Sequence, residues 1–150
     1  MLPSDLLIKT RTAHAGTKVR EVFEECLRAR VQSMPYCDDT GVVRGRITLK
    51  NVINRSIVPE YMAELALVLG SDMSAFEDME ERTRMVLELE IEPYVQEPHA
   101  AIDSTTPLMK ALAVMEHYDT SYLFVVDQGR YQGTLTVPGI AAWMMRVDDQ

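Results

Sequence analysis

Ser33-Met34-Pro35-Tyr36-Cys37-Asp38-Asp39-Thr40-Gly41-Val42-Val43-Arg44-Gly45-Arg46-Ile47-Thr48 is the stretch that decides the fold. Residues 33–37 and 42–48 read as two short strands. Asp38 to Gly41 reads as the tight turn between them, since Asp and Gly favour the backbone angles that reverse a strand. Upstream, Val19, Val22, Phe23, Cys26 and Leu27 recur at the spacing of a one-faced amphipathic helix. Thr17 is expected as its N-cap, with Arg28 and Arg30 near the negative end of the helix dipole. Downstream, Lys50-Asn51-Val52-Ile53 opens a second helix, and residues 6–12 read as a candidate first strand.

The same order recurs. Thr106 and Pro107 precede a helix with Leu108, Ala111, Leu112 and Met115 on one face, Pro107 standing where a missing N–H costs nothing. Tyr122 to Val126 is a β-rich run ending in Asp127, Gly129 turns, residues 131–136 return, and residues 140–145 close as a helix. The offset is 89 residues at Thr17/Thr106, Pro35/Phe124 and Asp38/Asp127, and 88 at Gly45/Gly133 and Thr48/Thr136. Thr40, the extra residue, lies in a hairpin turn, where length changes are tolerated. The chain therefore contains two diverged copies of one β-α-β-β-α unit, with an α+β fold and boundaries at 1–58, 59–93 and 94–150.

Composition bounds the function. Apolar residues at 47% and charged residues at 25% are those of a globular protein. No apolar run approaches a membrane span, and the start lacks the basic and apolar regions of a secretory signal. Cys26 and Cys37 read as reduced core residues, which points to the cytoplasm. The net charge of -8 divides into +4 over residues 1–58, -6 over residues 71–92 and -6 over the remainder. An acidic whole argues against nucleic acid, while the basic first part leaves room for one small anion. His14, His99, His117 and the cysteines show no metal-ligand spacing, and neither a nucleophile–base arrangement nor a Gly-rich phosphate loop is readable. No enzyme is expected.

The doubled pattern of apolar-Pro strand, Asp, Gly turn, then Gly45-x-Ile47-Thr48-x-x-Asn51 resembles the CBS (cystathionine-β-synthase) domain, from about Leu6 to Met145. The resemblance implies tandem repeats packed as a pseudo-two-fold pair, a Bateman module, with two clefts between them. Such modules regulate, some in energy sensing, by binding AMP, ADP, ATP or other adenosyl ligands, with Mg only alongside ATP. By the same resemblance Thr48 and Thr136 would meet phosphate, and the Asp that would hold ribose is replaced by Asn51 and by Gly139. Lys50, Arg44 and Arg46 make the first cleft basic. The candidate nucleotide site is thus Thr10, Arg11, Thr12, Met34, Pro35, Arg46, Thr48, Lys50 and Asn51. Ala100, Tyr122, Leu123 and Thr136 form a weaker second one. Against this, the threonines could be β-formers at strand ends, and Lys50 and Arg46 solvated surface charge.

The segment between the copies reads as two helices. Pro59-Glu60 opens one, with Met62, Leu65, Ala66 and Leu69 on one side, stopped by Gly70. A capping box at Ser74 and Glu77 opens the other, with Phe76, Met79, Val86 and Leu87 inward and Glu80 paired to Arg84. Its acidic residues form either a solvated face or a docking surface for a basic partner. The resemblance implies a homodimer formed through helices. The alternative function is a ligand-free scaffold for protein association.

Overall fold

The computed structural model describes residues 2–57, 79–98 and 100–150. The first expected connector helix, the Ser74 capping box and Phe76 lie outside the described residues. After a 3-10 turn at Ser4–Leu6 come α1 (Val19–Ala29), β1 (Ser33–Cys37), β2 (Val43–Thr48), α2 (Leu49–Ile57) and α3 (Met79–Leu87). A second 3-10 turn at Glu92–Tyr94 leads to α4 (Leu108–His117), β3 (Tyr122–Asp127), β4 (Arg130–Thr136) and α5 (Val137–Asp148). Helices with small antiparallel sheets make this the expected α+β fold. No described helix is long and apolar enough to cross a membrane.

The two copies match in hydrogen bonding as well as in order. Each hairpin is antiparallel and each slips register at the same place, between Tyr36 and Cys37 and between Val125 and Val126. Ala13 bridges Tyr36 in parallel, and Ile102 bridges Val125 in the same way, 89 residues on. Thr17 Oγ1 accepts from the His14 N–H (3.1 Å), and Thr106 Oγ1 accepts from the Asp103 N–H (3.2 Å). Thr17 is therefore no N-cap. It pins the loop before the helix, and α1 starts later, where the Glu21 carboxylate accepts from the Lys18 N–H (2.8 Å). In the first turn, the Asp38 carboxylate accepts from the N–H groups of Thr40 and Val42 and from Arg44 Nε. The Thr40 hydroxyl, then Arg44, then the Val42 N–H hold its pKa well below the usual range.

The expected strand at residues 6–12 is replaced by a crossing. Ile8 exchanges two backbone hydrogen bonds with Thr134 of the second hairpin (3.0 and 2.7 Å). Five residues later, Ala13 joins the first hairpin, bonding Pro35 and Cys37. A segment that changes sheets within so few residues cannot run a ladder on either. The segment before the second copy crosses in the opposite sense. Gln96 exchanges two bonds with Arg46 of β2 (3.0 and 2.8 Å), and Ile102 joins β3. The copies are stitched by reciprocal exchange, and both crossings are tight. A Cβ on Gly45 would stand 2.7 Å from the Gln96 carbonyl oxygen, and one on Gly133 would stand 2.9 Å from Leu7 Cβ.

Two cores follow from the helix stripes and strand faces. Val19, Val22, Cys26, Met34, Ile47 and Val52 form the first, joined by Val86, Ile91 and Tyr94. Ala111, Met115, Leu123, Val125, Leu135 and Ile140 form the second, which Leu2 and Leu6 from the chain start complete. Tyr122, Phe124 and Tyr131 make a third cluster against Val43 of the first hairpin, with ring centroids 5.6 and 5.9 Å apart. This explains why β3 is apolar on both faces: one covers its own core, the other meets the neighbouring copy. Leu27, expected inward, is 72% exposed; Leu112 and Met79 are also exposed. Leu27 lies at the lateral edge of the helical stripe, for Ala29 further along α1 still packs on the first core. The Glu80–Arg84 pair forms at 3.7 Å between exposed side chains.

Candidate functional site

Alternation along β2 turns Ile47 into the core and leaves Arg46 and Thr48 on the face toward the second copy. Thr48 ends β2 and its Oγ1 accepts from the Asn51 N–H (3.1 Å), so it caps α2. The first turn of α2 carries Lys50 and Asn51 to the rim of a cleft of about 560 Å³. Arg46, Thr48, Leu49, Lys50, Asn51, Asn54 and Gln32 line it from the first copy. Gln96 lines it from the crossing, and Asp119 and Tyr122 from the second copy. That volume suits a ligand of nucleotide size.

Most of the side chains that line the cleft carry a polar group. Arg46 Nη1 donates to Tyr122 Oη (2.8 Å) and Arg46 Nε to the Glu97 carbonyl (3.1 Å), so the guanidinium ties the two copies together at the cleft wall. Thr48 Oγ1 lies 3.4 Å from Gln96 Oε1. Asn51 Nδ2 donates to the Tyr94 carbonyl (3.1 Å), which turns its amide so that the side-chain oxygen has no partner among the described residues. Lys50 is exposed and makes no ion pair among the described residues. Two cations, a helix N-terminus, amides and the Leu49 and Tyr122 side chains can hold an anionic ligand with an apolar part.

Of the residues singled out by sequence, the structure brings Arg46, Thr48, Lys50 and Asn51 together. Tyr122, assigned to the weaker site, joins them from across. The other eight lie outside the residues lining this cleft. The Thr10 N–H donates to Tyr131 Oη, and Arg11 pairs with Glu25. Thr12 stands beside Cys37, while Met34 and Pro35 are buried in β1. Ala100 is half-buried, and Leu123 lies in the second core. Sequence reading missed Gln32, Leu49, Asn54, Gln96 and Asp119. The 89-residue offset maps Ile8 onto Glu97, one residue from Gln96, so the repeat marked the crossing segment but not the residue.

The counterpart positions in the second copy carry no charge. Thr134, Thr136, Pro138 and Gly139 stand where Arg46, Thr48, Lys50 and Asn51 stand in the first. Thr136 Oγ1 caps α5 through the Gly139 N–H (2.9 Å). Thr134 is buried, its hydroxyl bonded to Tyr131 Oη (2.7 Å), which also meets Thr10 Oγ1 (3.2 Å). A Cβ at Gly139 would meet Thr136 Oγ1 at 2.8 Å.

Residues 91–146 match the family model of the CBS domain. No relative among curated proteins matches the sequence. Among solved structures, the chain is similar to the CBS domain of a CBS-domain-containing membrane protein from Sphaerobacter thermophilus. The likeness has TM-score 0.67 at 18% identity over 93% of this chain and 85% of that one. It is also similar to the CBS domain pair of protein MJ0100 in complex with 5'-methylthioadenosine and S-adenosyl-L-methionine. Here the TM-score is 0.61 at 20% identity, over 97% and 96% of the two chains. The CBS-pair protein CBSX2 from Arabidopsis thaliana gives TM-score 0.66 at 15% identity, over 98% and 96%.

Proposed function

We propose, from a chain that carries a CBS domain over residues 91–146 and folds as a CBS-domain pair, that this protein is a non-catalytic regulatory module. It binds an adenine nucleotide, or a related adenosyl or anionic ligand, in the cleft between the copies and relays occupancy by changing shape or association. The observation that carries this reading is the convergence of Arg46, Thr48, Lys50 and Asn51 in one cleft of nucleotide size. The similar MJ0100 pair, seen with methylthioadenosine and S-adenosylmethionine, supports an adenosyl ligand. Relay has a physical route. An anion that draws Arg46 toward itself weakens its bond to Tyr122, and a ligand shifts an equilibrium only by binding one arrangement better. Exposed Leu27, Met109, Met144 and Met145 on the helices support a homodimer as the responding unit. Two free, buried cysteines support a reducing, cytoplasmic setting.

Thermal-shift and calorimetric titration with AMP, ADP, ATP, methylthioadenosine and S-adenosylmethionine test the reading. Stabilisation by at least one is expected, weakened about tenfold in Lys50→Ala and unchanged in Thr136→Val. No response to any of them at millimolar concentration overturns it, leaving the scaffold.

A further inference from the structure

Asp119 is the acidic side chain in the cleft, and it comes from the opposite copy to Arg46 and Lys50. Three residues on, Tyr122 touches Arg46 at 2.8 Å, so the corner between α4 and β3 faces the basic rim directly. The Asp119 carboxylate makes no ion pair or hydrogen bond among the described residues. Its backbone is left-handed, at φ +49°, a conformation that Asp tolerates better than most residues. That alone would account for an Asp at a helix end. The equivalent corner 89 residues earlier, however, is Arg30, also left-handed at φ +57°. The fold requires the bend at both corners but not an acidic side chain, so the sign of the charge there is free to serve the cleft.

We infer that Asp119 determines which ligand the cleft accepts. With cations on one wall and a carboxylate on the other, the cleft favours a ligand with an anionic group at one end and hydrogen-bond donors at the other. A ribose diol or an ammonium group supplies such donors, and a carboxylate oxygen accepts them strongly. Each further phosphate adds negative charge to a cleft that already holds a carboxylate, and is disfavoured. This rests on the nucleotide reading above and specifies it: nucleoside monophosphates and zwitterionic adenosyl compounds bind in preference to triphosphates.

The test is calorimetric titration of the full chain and of Asp119→Asn with AMP, S-adenosylmethionine, methylthioadenosine and ATP at low and moderate salt. The wild-type protein should prefer AMP or S-adenosylmethionine to ATP. The variant should lose about tenfold for the donor-bearing ligand, the value of hydrogen bonds to a charged group. ATP, for which removing the carboxylate also removes a like charge, should lose less than the other ligands or gain, a difference that shrinks as salt rises. Weakening of S-adenosylmethionine alone assigns the ammonium group, and weakening of AMP and methylthioadenosine as well assigns the ribose. Parallel changes for all ligands, or none, overturn the role of Asp119 while leaving the nucleotide reading intact. Silence of the wild-type protein toward every ligand overturns both. Asp119 is exposed, and equal unfolding midpoints for the two proteins verify that the comparison is one of binding.

Discussion

Replacing Glu25 by Gln should cost about 2 kcal/mol of stability at neutral pH and erase most of an acid-dependent loss. Glu25 lies on α1 with its side chain fully buried. It accepts from Arg28 Nε and Nη2 (2.6 and 2.7 Å) and from the Arg11 N–H (2.7 Å), with Arg11 Nε at 3.4 Å. The carboxylate thus fastens the crossing segment to the first helix. The Arg28 hydrogen bonds foremost, then the Arg11 N–H and the two positive charges, outweigh burial and lower its pKa from 4.5 to about 2. At ~1.4 kcal/mol per pH unit this corresponds to about 3 kcal/mol. Arg11 and Arg28 are more than half exposed, so solvent screening brings the expectation to about 2 kcal/mol. Because the folded pKa lies below the unfolded one, this stability is present above about pH 4.5 and is lost as pH falls toward 2. Urea unfolding followed by Trp143 fluorescence, at pH 7 and in steps down to pH 3, measures it. The gap between wild type and Glu25→Gln should shrink by roughly half or more at pH 3. Other carboxylates titrate in both proteins and cancel. A loss under about 0.5 kcal/mol at pH 7, or a gap that acid leaves constant, refutes the reasoning.

Gly45→Ala should destabilise the protein by about 1 to 3 kcal/mol, the usual range for overpacking, because the new Cβ runs into the Gln96 carbonyl and Val95 Cγ1. Thermal melting checks it, and a melting temperature equal to wild type contradicts the tight crossing. The Cys26 thiol, pushed up to about 12 by burial and then by the Glu25 charge, should resist iodoacetamide at pH 8 in the native protein and react once denatured. Mass spectrometry of the labelled peptide decides, and rapid native labelling contradicts its burial.

Both hairpins, helices α1 and α4, and the 89-then-88 offset are legible in the sequence. Each depends on residues near one another in sequence: alternation in 33–37 and 122–126, a helical stripe at Val19, Val22 and Cys26, and Asp and Gly at the turns. The threonines at 48 and 136 were legible as a pair, but not their capping of α2 and α5. Capping depends on where the helix starts, and in α1 the start falls beyond Thr17. The basic half of the cleft was also legible, since Arg46, Thr48, Lys50 and Asn51 lie within one strand-to-helix turn.

The sequence by itself determined the repeated unit, its two cores in outline and the basic rim, all products of spacing and residue chemistry within a few turns of chain. Only the tertiary structure decided that residues 8 and 96 each cross to the other copy's sheet, that Tyr122 serves the first cleft, and that Asp119 completes it. The physical reason is that these depend on what packs against what across some 50 to 125 residues. A strand or helix pattern specifies an apolar face but not which distant surface will cover it. The crossing of Gln96 over Gly45, and the aromatic contact of Tyr122, Phe124 and Tyr131 with Val43, set that choice.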